Sequence, residues 1–161
     1  MGSCFVENIG SKLEYSKFPV LQNPFGIVFH PMAMERLIRR IVSRNLFTGS
    51  DLLLKNDQYL SLETHSMMNR SNAEECVLNL NESLETPYEF LREADVLVLS
   101  LGTAWGYEHE SLPGVAANCH KIPQKEFEKK LSSIDEITNS LKGIAKSLRE
   151  INKDIKVLYT L

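Results

Sequence analysis

Residues Asp95–Leu101 read Asp-Val-Leu-Val-Leu-Ser-Leu, an apolar, partly β-branched run without alternation. A strand with one wet face alternates apolar and polar side chains. An unbroken run therefore marks a central strand buried on both faces, as in a parallel sheet. The run ends in Gly102-Thr103, and a second apolar stretch, Ile155–Leu161, reads as another buried strand. Between them Ser133 and Glu136 form a capping box. It opens a helix with Ile134, Ile137, Leu141, Ile144, Leu148 and Ile151 on one face. Strands alternating with helices make the fold class α/β. In open parallel sheets ligands bind at the carboxyl edge of the strands. Gly2-Ser3-Cys4-Phe5, Gly102-Thr103 and whatever follows Leu161 are therefore expected to converge on one crevice.

Gly2–Phe5 itself reads as a strand-to-helix turn, although the strand that should precede it is nearly absent. Val6–Glu14 is expected to be a short helix, and Lys17–Pro31, with Pro19, Pro24, Pro31 and Gly26, a loop. Apolar spacing predicts a helix over Met32–Leu46 with Pro31 in its first turn. Arg36, Arg39, Arg40 and Arg44 lie at helical spacing within it and read as a solvated face. Asp51–Leu62 reads as a hairpin around Lys55–Gln58. A capping box at Ser71 and Glu74 is expected to open a helix carrying Cys76, Val77, Leu80 and Leu84, with Pro87 restarting it as far as about Ala94. Glu108–Pro123 reads as a long irregular loop and Lys125–Leu131 as a short helix.

A chain of 161 residues with 43% hydrophobic and 24% charged residues fits a single globular domain, residues 1–161. A net charge of −3 gives no footprint for nucleic acid. Three scattered cysteines with no CxxC point to a reducing compartment rather than a disulfide framework. No run has the length of a membrane span, and the N-terminus lacks the features of a signal peptide. The expectation is a cytoplasmic protein with no metal, no cofactor and no membrane or nucleic-acid partner.

Ser3 and Cys4 are the candidate nucleophiles, placed where the free N–H groups of a helix start can stabilise negative charge. Their bland reading is an N-cap serine beside a buried cysteine. Gly102 and Thr103 could present N–H groups to an oxyanion, or simply form a tight turn with Trp105 in the core. His65 lies in a polar loop, and Asn118-Cys119-His120-Lys121 groups an amide, a thiol, an imidazole and an amine. A zinc site would need further ligands at suitable spacing.

Four ordered stretches carry a resemblance: Gly2-Ser3-Cys4-Phe5-Val6-Glu7-Asn8-Ile9-Gly10, Asn23-Pro24-Phe25-Gly26-Ile27, Gly102-Thr103-Ala104-Trp105, and Ala117-Asn118-Cys119-His120-Lys121-Ile122-Pro123. Together they resemble the GSCFA family over nearly the whole chain. Val6, His30 and Thr64 depart from its usual residues. The family looks like a branch of the SGNH (GDSL-like) hydrolases. That implies a three-layer αβα, flavodoxin-like sheet and ester or acyl hydrolysis of a small-molecule or acylated substrate. It also implies a nucleophile after the first strand, an oxyanion site and an Asp-x-x-His base pair near the C-terminus. Laying Gly-Asp-Ser on Gly2-Ser3-Cys4 puts Cys4 at the nucleophile position, and Ser3 stays open as the alternative. Gly102 and Thr103 fall in the oxyanion region, with His65, Asn118 and His120 lining the crevice.

No Asp-x-x-His occurs in the sequence. The chain is therefore expected to be the N-terminal portion of a longer domain, its sheet incomplete at the C-terminus, and inactive as it stands. Its last strand would be an exposed edge open to association. A binding module that keeps the crevice without chemistry is the competing class. A thiol-redox reading through Cys4 and Cys119 would need their Cα atoms within about 7 Å.

Overall fold

The computed structural model describes all residues, 1–161. In chain order the elements are helix α1 (Cys4–Tyr15), α2 (Pro31–Val42), strands β1 (Leu53–Lys55) and β2 (Gln58–Leu60), α3 (Ala73–Glu93), β3 (Val96–Ser100), β4 (Trp105–His109), β5 (Leu112–Val115), β6 (Glu128–Leu131), α4 (Ile134–Ile151) and β7 (Lys156–Thr160). Single turns of 3-10 helix occur at Gly49–Asp51, Ser66–Met68 and Gln124–Glu126.

The fold is α/β, with a parallel sheet and two small antiparallel ones. β3 pairs in parallel with β7, from Val96 opposite Lys156 to Ser100 opposite Thr160. On its other side β3 takes the chain start as a rudimentary strand. The Met1 amino group donates to the Val98 carbonyl at 2.7 Å, and the Ser100 N–H donates to the Met1 carbonyl at 3.0 Å. Gly2 then bridges Ser100 in parallel. The missing first strand of the sequence reading is thus two residues long.

One face of this sheet, with Met1, Leu97, Leu99 and Val157, packs on a core built by α2, α3 and α4. Phe25, Met34, Leu37, Ile38, Ile41, Phe47, Leu80, Ile144 and Leu148 are among its fully buried members. The opposite face is only partly covered. Val96 and Leu158 are 49% and 56% exposed, so neither β3 nor β7 is buried on both faces as their composition suggested. Ile134, at the start of the apolar stripe of α4, is also exposed.

Local chemistry sets the helix starts. Ser3 caps α1, the His30 side chain accepts from the Met32 N–H ahead of Pro31 in α2, and Ser133 with Glu136 closes the expected box on α4. On α3 the cap is Asn72, not Ser71: its Oδ1 takes the Glu74 and Glu75 N–H groups at 2.8 and 3.1 Å. Pro87 does not restart that helix. It lies inside a continuous α3, where Leu80, Leu84, Pro87 and Leu91 face the core and packing outweighs one lost N–H. α2 stops at Val42, because Arg44 turns to φ 50°.

Two further expectations are corrected. The expected loop over 108–123 is irregular only from 116 onward, since β4 and β5 form an antiparallel hairpin before that point. Pro113 and Gly114 break the period-2 pattern that would have marked it. Residues 125–131 are not a helix: β6, exposed along its length, pairs with β4 from Trp105–Leu131 to Glu108–Glu128. The β1–β2 hairpin is present, with its turn at Asn56 and Asp57, both at positive φ as a type I′ turn requires. No helix is long and apolar enough to cross a membrane.

Candidate functional site

Gly2 makes the closest approach in the molecule's sheet. At φ 137° a Cβ there would lie 2.3 Å from the Ser100 carbonyl oxygen, so only glycine lets the chain start lie on β3. The next residue, Ser3, is brought to the carboxyl end of that strand. Its Oγ lies 2.8 Å from the Ser100 Oγ and accepts the Phe5 N–H at 3.3 Å. Cys4 is the first residue of α1 and is exposed, while Ser100 is buried.

Asn23 holds this turn from behind. Buried and at φ 37°, it accepts the Gly2 N–H on Oδ1 at 2.9 Å and donates through Nδ2 to Glu7 Oε1 at 3.2 Å. One side chain thus ties the residue before Ser3 to the first turn of α1. The Gly26 N–H returns to the Asn23 carbonyl at 2.7 Å, closing the Asn-Pro-Phe-Gly loop.

That loop leads to a second cluster. A Cβ on Gly26 would lie 2.4 Å from the His65 Cβ, and the His65 N–H donates to the Phe25 carbonyl at 2.9 Å. The His65 Nδ1 accepts the Met67 N–H at 3.3 Å. His120 is buried, and neither ring nitrogen makes a hydrogen bond. Burial pushes its pKa down to about 4, against the opposing pull of the Thr64 and Ser61 backbone and with a small further lowering from His65. Asn118 Oδ1 accepts the His120 N–H at 2.7 Å, and His120 and Lys121 both sit at positive φ, 49° and 59°. Burial pushes the half-buried Cys119 thiol up.

Gly102 and Thr103 follow Ser100 within three residues. The Gly102 N–H is committed to the Phe29 carbonyl at 3.1 Å, and a Cβ there would meet the Phe29 ring at 2.9 Å. The Thr103 Oγ1 accepts the Trp105 N–H at 2.9 Å. Trp105 is 48% exposed on β4 with the Lys129 ammonium over its ring, so it is not core. No group of three His, Cys, Asp or Glu side chains is placed to hold a metal ion.

A family model for GSCFA matches residues 1–161. The chain belongs to the GSCFA family. No curated protein and no solved structure matches it.

In this GSCFA chain the expected residues fall in two groups. Ser3 and Cys4 meet Ser100, close in sequence to Gly102 and Thr103. His65, His120 and Asn118 form the other group, joined to the first through the Asn23–Gly26 loop. No histidine hydrogen-bonds to Ser3, and the backbone N–H groups of Cys4 and Thr103 have no partner in the chain. Sequence reasoning missed Ser100 and Asn23. Ser100 was visible as the one hydroxyl in the apolar run, and Asn23 as a polar residue before Pro24.

Proposed function

We propose that this GSCFA chain carries the nucleophile end of an SGNH-like ester or acyl hydrolase, built on a flavodoxin-like three-layer αβα frame. The observation that carries the reading is the placement of Ser3 and Cys4. They stand at the start of α1 beside the carboxyl end of β3, with the Ser3 Oγ 2.8 Å from the Ser100 Oγ. A helix start of this kind supplies N–H groups and a partial positive charge to an anion.

In this reading the Ser3 hydroxyl or the Cys4 thiol attacks the acyl carbon of the substrate. The bond to the leaving alcohol breaks, the alcohol departs with the nucleophile's proton, and water then cleaves the acyl intermediate. The free N–H groups of Cys4 and Thr103 are the oxyanion donors it would use. Gly102 then serves by its close packing on Phe29 rather than by its N–H, which is already engaged. His65, His120 and Asn118 form the more distant wall of the crevice. The reading requires a base, and no histidine of residues 1–161 bonds to Ser3.

The engagement of Ser3 Oγ as the cap of the Phe5 N–H favours a second reading in which the crevice binds a ligand without chemistry. Labelling separates the two. A fluorophosphonate and iodoacetamide are reacted with the folded and the urea-denatured full-length protein, which carries the base this reading requires, and the modified residues are mapped by mass spectrometry. The hydrolase reading expects Ser3 or Cys4 to react faster in the folded state, with Ser3→Ala and Cys4→Ala deciding which. Labelling no faster than in the denatured control overturns it in favour of the binding module.

A further inference from the structure

A cleft of about 570 Å³ opens between α2 and the β4–β5 hairpin. Its walls carry Arg36, Arg39 and Arg40 together with Glu35 and Glu63. None of these residues hydrogen-bonds to Ser3 or Ser100, and the sequence reading treated the arginines as a solvated face.

Two of the three arginines are matched by carboxylates. Arg39 pairs with Glu35 at 2.7 Å. Arg40 makes a bidentate pair with Glu63 at 3.0 and 2.7 Å and reaches Asp51 at 3.0 Å. Arg36 has no carboxylate partner. Its Nη1 donates to the Val115 carbonyl at 2.9 Å and its Nη2 to the Pro113 carbonyl, both neutral acceptors. The hairpin is shaped to that guanidinium: Gly114 sits at φ 82°, and a Cβ on it would come within 3.0 Å of Arg36 Nη2. Arg36 is half-buried, and burial pushes its pKa down, with Arg40 adding to the lowering and Glu63 and Glu35 opposing it. The charge is therefore held in place by backbone, partly desolvated, and lacks a counter-charge of its own.

The unused donors of Arg36 include Nε–H, and its two nitrogens on that side fit the two oxygens of one carboxylate side-on. Glu35 and Glu63 beside it disfavour a second negative charge. Met32, Leu112 and Pro113 give the cleft an apolar wall. We propose that this cleft binds a small monocarboxylate, its carboxylate paired with Arg36 and its hydrocarbon part against Met32 and Leu112. The site is independent of the hydrolase reading.

The test is an NMR titration of the protein with butyrate, with its neutral analogue butyramide and with inorganic phosphate. Saturable binding of butyrate is expected, with amide shifts centred on Gly114 and Val115, and binding of butyramide and phosphate at least about tenfold weaker. Arg36→Gln is expected to lose butyrate binding, while Arg44→Gln, outside the cleft and paired with Glu85, retains it. Equal binding of butyrate and butyramide, shifts centred elsewhere, or wild-type affinity in folded Arg36→Gln would each overturn the proposal. Phosphate binding as tight as butyrate overturns the single-charge assignment. If Arg36→Gln fails to fold, the comparison of the three probes on the wild-type protein still decides.

Discussion

Arg40 shows what a single residue can carry in this chain. Its side chain is 9% exposed, that of Glu63 is 7% exposed, and its guanidinium stacks 4.0 Å over the Phe47 ring. Removing one member of a buried pair leaves the other charged and unpaired, at a cost of about 3–5 kcal/mol. Arg40→Ala is expected to show that loss in urea unfolding. Arg44→Ala, whose partner Glu85 is as exposed as Arg44 itself, should leave the urea midpoint nearly unchanged. The two arginines are indistinguishable in the sequence, because burial depends on what folds over α2. His120 is the second case. An unfolded histidine takes a proton near pH 6.5, which folded His120 refuses until about pH 4. The unfolded state binds more protons between those values. Stability present above pH 6.5 is therefore lost as the pH falls toward 4, by on the order of 3 kcal/mol. Urea midpoints measured from pH 7.5 to 4.5 should fall more steeply for the wild type than for His120→Gln.

At the scale of elements, helix starts were legible where the cap is local. Ser133 and Glu136 satisfy each other's backbone N–H groups across three residues, so the box needs no tertiary partner. Ser133→Ala is expected to destabilise by about 1 kcal/mol, read as a lowered melting temperature. Strand pairing is different, because the partner lies far along the chain. The Gly2–Ser100 bridge spans most of the molecule and depends on a backbone approach that any side chain would block. Gly2→Ala should break it, and the accompanying loss of the hydrogen bond from the Ser100 N–H to the Met1 carbonyl should appear as faster amide exchange at Ser100. The β4–β5 hairpin and β6 stayed hidden for a related reason. β6 is exposed along its length, and β4 and β5 are mostly half-buried with Gly106, Pro113 and Gly114 among their residues, so no apolar alternation marks them, and each is a strand only because the other sheet members are present.

At the scale of the whole molecule, stability is unevenly distributed. α2 and α4 share the most extensive helix contact and place Met34, Leu37, Ile38, Ile41, Ile144 and Leu148 in the core, whereas β6, at the edge of the β5-β4-β6 sheet, is exposed along its length. Hydrogen exchange is expected to be slowest in α2 and α4 and markedly faster in β6. Trp105, the only tryptophan, sits half-exposed on that outer sheet. Its fluorescence should be readily quenched by acrylamide in the native state.

The sequence by itself determined the α/β class, the capped amphipathic helices, the parallel pairing of two apolar runs and the Gly-Ser-Cys-Phe turn. All of these rest on local periodicity, side-chain caps or residue types that act over a few positions. Only the tertiary structure decided that Ser3 meets Ser100, that Asn23 clamps the turn, that Arg40 is buried and that Arg36 lacks a carboxylate. Those facts depend on contacts between residues 20 to 100 positions apart. Such contacts leave no periodic trace in a single sequence, because hydrogen-bond partners are selected by the packing of whole elements.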